Sequence, residues 1–230
     1  MTQTHEAVQA RIGDVGIEVV RLGALASGAI VAATAALTAG DLVEADRVIA
    51  DDDAVDAQRH AIEDECLRLL GTGLFDQELR FVATTLRVAH ELERTADLMV
   101  NVARTAWRLF PHQVEPPVSG LLDRIGRQAT VQIRVAVNAF VDRDAASAAA
   151  LADMDDALDA MHDALLRHAL APAHPLARRP DDRVAHAPAD DTSVVQAVQL
   201  ALVARHYERA GDHAVTIAGW VPFVVTGTRR

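Results

Sequence analysis

One stretch of this 230-residue chain is written twice, and the duplication limits what the rest can fold into. Laying Glu93–Ala103 over Glu208–Ala218, a shift of 208 − 93 = 115, brings Glu, Arg, Asp, Val and Ala into register at five of eleven positions. In both copies two acids stand four residues apart, Glu93 with Asp97 and Glu208 with Asp212, so on a helix they share a face one turn apart. Leu86, Ala89, Ala96, Val100 and Ala103 lie on the same side in the first copy, and Ala201, Ala204, Val215 and Ala218 in the second. The acids are set into an apolar stripe. Carboxylates so placed need a partner, either an Arg or Lys from a neighbouring helix or a bound cation.

The repeat extends upstream. Ala39-Gly40-Asp41 matches Asp142-Arg143-Asp144 with a shift of 144 − 41 = 103, and the same shift lays Asp52-Asp53-Ala54-Val55-Asp56 over Asp155-Asp156-Ala157-Leu158-Asp159. The shift then grows by 115 − 103 = 12 residues, which fall in Ala171 to Asp191. That segment is rich in Pro, Asp, Arg and His without an apolar period, and is predicted to be an exposed loop.

Helical periodicity and its stop signals predict six long helices: Ile12–Ala39, Asp41–Leu70, Gln77–Phe110, Leu121–Val141, Asp144–Leu170 and Thr192–Val225. Gly40 and the Gly71-Thr72-Gly73 run end the first two, and Pro111 ends the third. Pro116-Pro117-Val118-Ser119-Gly120 reads as a linker near the midpoint. The expected fold is all-α, two tandem three-helix bundles covering residues 1–115 and 121–230 and related by a pseudo-twofold. Composition agrees: hydrophobic residues are 50% of the chain and aromatics only 3%, a balance that favours close-packed helices over strands.

The formal net charge of −11 argues against a nucleic-acid binder, which needs a basic face for phosphates, and favours a site for cations or a basic partner. Cys66 is the lone cysteine, so no intramolecular disulfide forms, and Met1–Arg11 lacks a basic region followed by an apolar run. Both point to the cytoplasm. Leu22–Gly40 carries no charge over nearly a membrane span, but it is rich in Ala, Gly, Thr and Ser, and a buried helix is expected rather than a transmembrane one.

Asp52 with Asp56 and Asp155 with Asp159 repeat the four-residue spacing on the second helix of each half. Second and third helices of a bundle are adjacent, so four carboxylates per half converge: Asp52, Asp56, Glu93 and Asp97, then Asp155, Asp159, Glu208 and Asp212. Oxygen-only clusters suit Mg²⁺, Mn²⁺ or Ca²⁺, and iron takes carboxylates well, whereas structural zinc prefers Cys or His. His60, His90, His162 and His213 lie near these acids, but none recurs at the matching position of the other half, and all read as surface or packing residues. A solvated charged face is the ordinary fate of such acids; their repetition among apolar neighbours favours a cation site. Arg94 and Arg209 point about 100° away from the adjacent Glu, which suggests outward contacts to a partner. No nucleophile elbow, P-loop or dinucleotide-binding glycine pattern is present, and Asp159-Ala160-Met161-His162 only approximates the Glu-x-x-His of helical di-iron oxidases. Catalysis has no support in these motifs. A metal-dependent helical-bundle enzyme, either a ferritin-like oxidase or a phosphohydrolase, and a metal-free scaffold are the alternatives to a binding protein.

Glu91-Leu92-Glu93-Arg94-Thr95-Ala96-Asp97 and Tyr207-Glu208-Arg209-Ala210-Gly211-Asp212-His213-Ala214 resemble the duplicated signature of the PhoU family. The resemblance extends to the Val48-Ile49…Asp52…Val55-Asp56 and Asp155…Leu158-Asp159 helices, and covers nearly the whole chain. It implies a cytoplasmic negative regulator that binds the ATPase subunit of a phosphate ABC transporter and a PhoR-type histidine kinase, often as a homodimer. It also implies that the eight acids named above hold metal clusters, with iron, manganese, magnesium or zinc as the ion. The first copy departs from the signature at Ala96 and Leu98-Met99, and the second at Thr216.

Overall fold

A computed structural model describes residues 2–170 and 191–228, so the predicted 171–191 loop lies, but for its last residue, outside the described residues. Those residues form helices α1 (Thr2–Ala39), α2 (Leu42–Leu70), α3 (Asp76–Leu109), α4 (Pro116–Asp142), α5 (Ala145–Ala149), α6 (Leu151–Leu170), α7 (Asp191–Gly219) and α8 (Val221–Thr226). The fold is the expected all-α bundle pair. Two predicted helices are each divided by a break, the fifth at Ala150 into α5 and α6 and the sixth at Trp220 into α7 and α8. Pro222 in the first turn of α8 accounts for the second break.

The repeat is visible in the backbone. After α1 the chain turns through Gly40 at φ 65°, and Asp41 then caps α2, accepting from the amides of Val43 and Glu44 at 3.0 Å each. At the matching place Arg143 adopts φ 57°, and Asp144 caps α5 by accepting from Ala146 and Ser147 at 2.9 and 3.1 Å. A non-glycine residue in this left-handed region is uncommon, so the turn is imposed by its surroundings. The Arg143 guanidinium is 5.2 Å from the centroid of the Phe81 ring, which in turn stacks on Phe140 at 5.1 Å.

The Pro116-Pro117 pair is not a linker. It opens α4, because the first turn of a helix has amides without intrahelical partners and proline gives up nothing there. The connection between halves is 110–115 instead. α1 likewise begins ten residues earlier than periodicity predicts, and Gln9 in that extension hydrogen-bonds Glu78 of α3.

One core runs through both halves. α1 packs against α2, α3 and α4, while α7 packs against α3, α4 and α6, so α1, α3, α4 and α7 make a central block with α2 and α6 outside it. The α1–α4 crossing is reciprocal: a Cβ added to Gly23 would stand 2.8 Å from Val137 Cγ2, and one added to Gly126 would stand 2.5 Å from Thr34 Oγ1. Gly126 is Gly23 shifted by 103, and Val137 is Thr34 shifted by 103, as a pseudo-twofold requires. Tyr207 adds a polar tie across the halves, its hydroxyl 2.6 Å from Thr34 Oγ1. α1 is long and apolar enough to cross a membrane by length and composition, and half of that stretch is buried inside the protein.

Candidate functional site

In the first half, α2 and α3 lie side by side and bring their acids to one surface. Burial, then the charges of Asp97 and Asp56, push Asp52 above its ordinary value, and burial followed by Asp97 raises Glu93. Asp52, Asp56, Glu93 and Asp97 therefore lie within electrostatic reach of one another.

Sequence reasoning missed the residue standing among them. Arg59, three places beyond Asp56 on α2, is 17% exposed, and its Nε lies 3.9 Å from Asp56 Oδ1 and 3.9 Å from Glu93 Oε1. Its Nη1 donates to Glu63 at 2.7 Å, which fixes the guanidinium in place. Its own pKa is raised, first by the Glu63 hydrogen bond, so it is always charged. His90 approaches the other oxygen of Glu93 at 3.5 Å.

The second half is built differently. Burial raises Asp155 first, and the charges of Asp159 on α6 and Asp212 on α7 raise it further, so both exposed acids lie within electrostatic reach of Asp155. Glu208 does not join them, being paired with Arg205 one turn back on its own helix. Gln132 of α4 reaches in instead: fully buried, it directs Nε2 at Asp155 Oδ1 over 3.5 Å, while its buried Oε1 has no hydrogen-bond partner. Gly211 makes room for this approach, since a Cβ there would stand 2.7 Å from Asp155 Oδ1 and 3.2 Å from Gln132 Oε1. The matching residue of the first half is Ala96.

Among the described residues no three His, Cys, Asp or Glu side chains are placed to hold a metal ion together. Each half presents acids within electrostatic reach of one another but no assembled ligand shell. The second half offers donors of the kind a hard cation takes, Asp155 with the Gln132 amide beside it and the exposed Asp159 and Asp212 within electrostatic reach, but they are not gathered into a ligand set. In the first half the guanidinium of Arg59 already stands between two of the acids.

The histidines divide. His213 is buried, its Nδ1 3.0 Å from Thr95 Oγ1 and its Nε2 3.8 Å from Glu91. Burial, then Arg94, Arg209 and His90, push it down to about 4, so it is neutral and serves as a packing residue between α3 and α7. His60 bonds the Asp56 carbonyl oxygen at 2.8 Å on an exposed surface, and His162 sits 3.7 Å from Asp163. Arg94 lies 3.9 Å from Glu91 on its own helix, a different acid from those of the cluster.

A duplicated three-helix unit, carrying acids at four-residue spacing in each copy, defines the described residues as an all-helical bundle with an internal repeat. A family model described as the PhoU domain matches residues 19–106 and 122–221, one match in each half. The chain belongs to the PhoU family. It is similar to the phosphate-specific transport system accessory protein PhoU homolog 1 of Mycobacterium leprae (strain TN), with 32% identity over 152 residues, 66% of this chain and 61% of that protein. The chain thus spans about three fifths of the length of that relative. Its fold superposes on the crystal structure of PhoU from Pseudomonas aeruginosa with a TM-score of 0.82 at 26% identity, covering 96% of this chain and 99% of that one. The phosphate transport system regulatory protein PhoU from Streptococcus pneumoniae shares the fold, with a TM-score of 0.81 at 22% identity over 97% of this chain and 99% of that one.

Proposed function

We propose that this protein is a regulatory adaptor of phosphate uptake and phosphate-starvation signalling. It acts in the cytoplasm, at the inner face of the membrane through its partners, by contacting the ATPase subunit of a phosphate ABC transporter and a PhoR-type sensor kinase. Through these contacts it holds the starvation response off while phosphate is plentiful. The observation that carries the reading is the match of the family model to both halves, together with relatives named as accessory or regulatory proteins of phosphate transport. The reading gives the chain no turnover of its own, and a homodimer as its working form.

The carboxylate clusters supply its chemistry. A divalent or trivalent cation, iron, manganese, magnesium or zinc, draws α2 toward α3 or α6 toward α7 when bound, and so shapes the surface that partners read. The chain's own contribution is the four-residue spacing, which keeps two carboxyl groups of each helix on one face.

A strain lacking this gene tests the reading. Starvation-response genes are expected to switch on in phosphate-rich medium, and the intact gene to silence them again. A Glu93→Ala/Asp97→Ala/Glu208→Ala/Asp212→Ala variant is expected to fold and fail to silence. Normal repression in the deletion strain refutes the adaptor, and full silencing by the variant removes the acids from the mechanism.

A further inference from the structure

α1 carries an apolar face that the core does not use. Half of its membrane-length apolar stretch is buried. The other half looks outward, where Ile17 and Val31 are each 53% exposed and Val20 and Leu25 are exposed as well. No charged residue interrupts the helix between Leu22 and Gly40, although a solvated helix face ordinarily carries charge. α4 runs antiparallel beside it, with Gly23 against Val137 and Gly126 against Thr34. Because α1 and α7 each meet both α3 and α4, α1 and α4 make one side of the central block and α3 and α7 the opposite side.

The repeat shows how these two neighbours have diverged. Shifted by 103, Ala24 becomes Arg127 and Val31 becomes Arg134, while Arg21 is matched by Arg124. The three α4 arginines are exposed, and among the described residues none stands in ion-pair reach of a carboxylate. Arg21, by contrast, is paired with Glu18. The two glycine contacts bracket Leu25 and Val31 on α1 and Arg127 and Arg134 on α4, so apolar and basic side chains stand at one level. A chain of net charge −11 thus sets unpaired guanidiniums beside an uncharged ridge.

We propose that this side of the molecule docks an acidic amphipathic helix of a partner protein, laid along α1 with its apolar residues on Ile17, Val20 and Val31 and its carboxylates toward Arg127 and Arg134. The proposal deepens the adaptor reading above, on which the partner's role rests. Charge decides among the occupants. A second copy presenting the same side brings like guanidiniums together with no acid to offset them. A bilayer is met poorly, since neither outward stripe has an aromatic anchor and α1 offers Ala and Gly between its few larger side chains. A helix with acids flanking an apolar seam suits both neighbours: the arginines gain carboxylates and the ridge leaves water. From Ile17 to Ala35 the outward stripe is about 27 Å long, room for about five turns of such a helix.

Fluorescence anisotropy of the purified full chain with a labelled peptide of about 20 residues, leucines on a heptad seam flanked by glutamates, tests this. Binding is expected, weakening as salt rises. It is expected to fall at least about tenfold in Arg127→Glu/Arg134→Glu, in Val31→Glu, and when lysines replace the peptide's glutamates. Circular dichroism confirms helix content, and Arg127→Gln/Arg134→Gln, expected to weaken binding too, stands in should the reversed pair fail to fold. Peptide binding that is absent, or unaffected by these exchanges, overturns the proposal. Loss in the same variants of sedimentation with phosphatidylglycerol vesicles then names lipid as the occupant, and loss of a dimer in ultracentrifugation names a second copy. In the deletion strain, Arg127→Glu/Arg134→Glu and Val31→Glu are expected to fail to silence. Full silencing by both, where the native gene silences, overturns the docking surface while the adaptor stands. Normal repression in the deletion strain refutes the adaptor alone, because peptide binding by native but not variant protein still establishes the surface.

Discussion

His213 shows what a single side chain contributes here. It is 5% exposed and held at about 4, against 6.5 for the free group, so the folded protein resists a proton that the unfolded chain accepts. Stability is unaffected above about pH 6.5 and falls as the pH drops from there toward 4, by about 2 kcal/mol at pH 5 through this residue. Asp52, Glu93 and Asp155 work in the opposite direction: their raised values mean that acid relieves a folded-state cost, and stability through them is lower above their folded values. Denaturant titrations at pH 7, 6 and 5 are expected to show a loss in the native protein that His213→Asn reduces. An unchanged slope in that variant assigns the acid sensitivity elsewhere. At this scale the sequence revealed the acids and concealed their counterparts. The four-residue spacing stands out because it is repeated, whereas Arg59 and Gln132 matter because they are not, and a search for agreement between halves passes over them.

Elements were legible wherever periodicity and stop signals agree. Gly40 and Asp41 mark the α1–α2 boundary, and the left-handed turn and cap found there recur at Arg143 and Asp144. The Pro116-Pro117 pair was not, because the same residue that forbids a helix interior is welcome in a first turn, and only the following Val118, Leu121, Leu122 and Ile125 decide between the two. Which helix meets which was also beyond reach: a stripe of small apolar residues states that a face is buried, not against what. Gly23 and Gly126 carry that missing information in the structure, each giving way to a side chain of the facing helix. Gly126→Ala is expected to destabilise by roughly 1–3 kcal/mol through overpacking against Thr34, and Gly23→Ala, against Val137, by a similar amount. Thermal unfolding of both variants checks this, and a melting temperature unchanged in each shows that the crossing has room to spare.

For the whole molecule, the two halves that the repeat suggests are not two bodies, because α1 with α4 and α3 with α7 join them in one core. Each half carries one tryptophan, Trp107 on α3 and Trp220 between α7 and α8, so the unity can be watched from both sides. Urea unfolding followed by fluorescence in Trp107→Phe and Trp220→Phe variants, and by circular dichroism, is expected to give one superimposable transition. Separate midpoints divide the molecule again into two units.

The reciprocal α1–α4 contact has the geometry of a homodimer seam, Gly23 against Val137 and Gly126 against Thr34, yet both sides belong to a single polypeptide. Joined by the short 110–115 tether, the partners meet at an effective concentration set by the chain itself, so this seam does not loosen on dilution as a bimolecular one does. Covalent union also frees the copies from having to match: once each is guaranteed its neighbour, one can keep Arg59 while the other keeps Gln132, an asymmetry that identical subunits cannot carry.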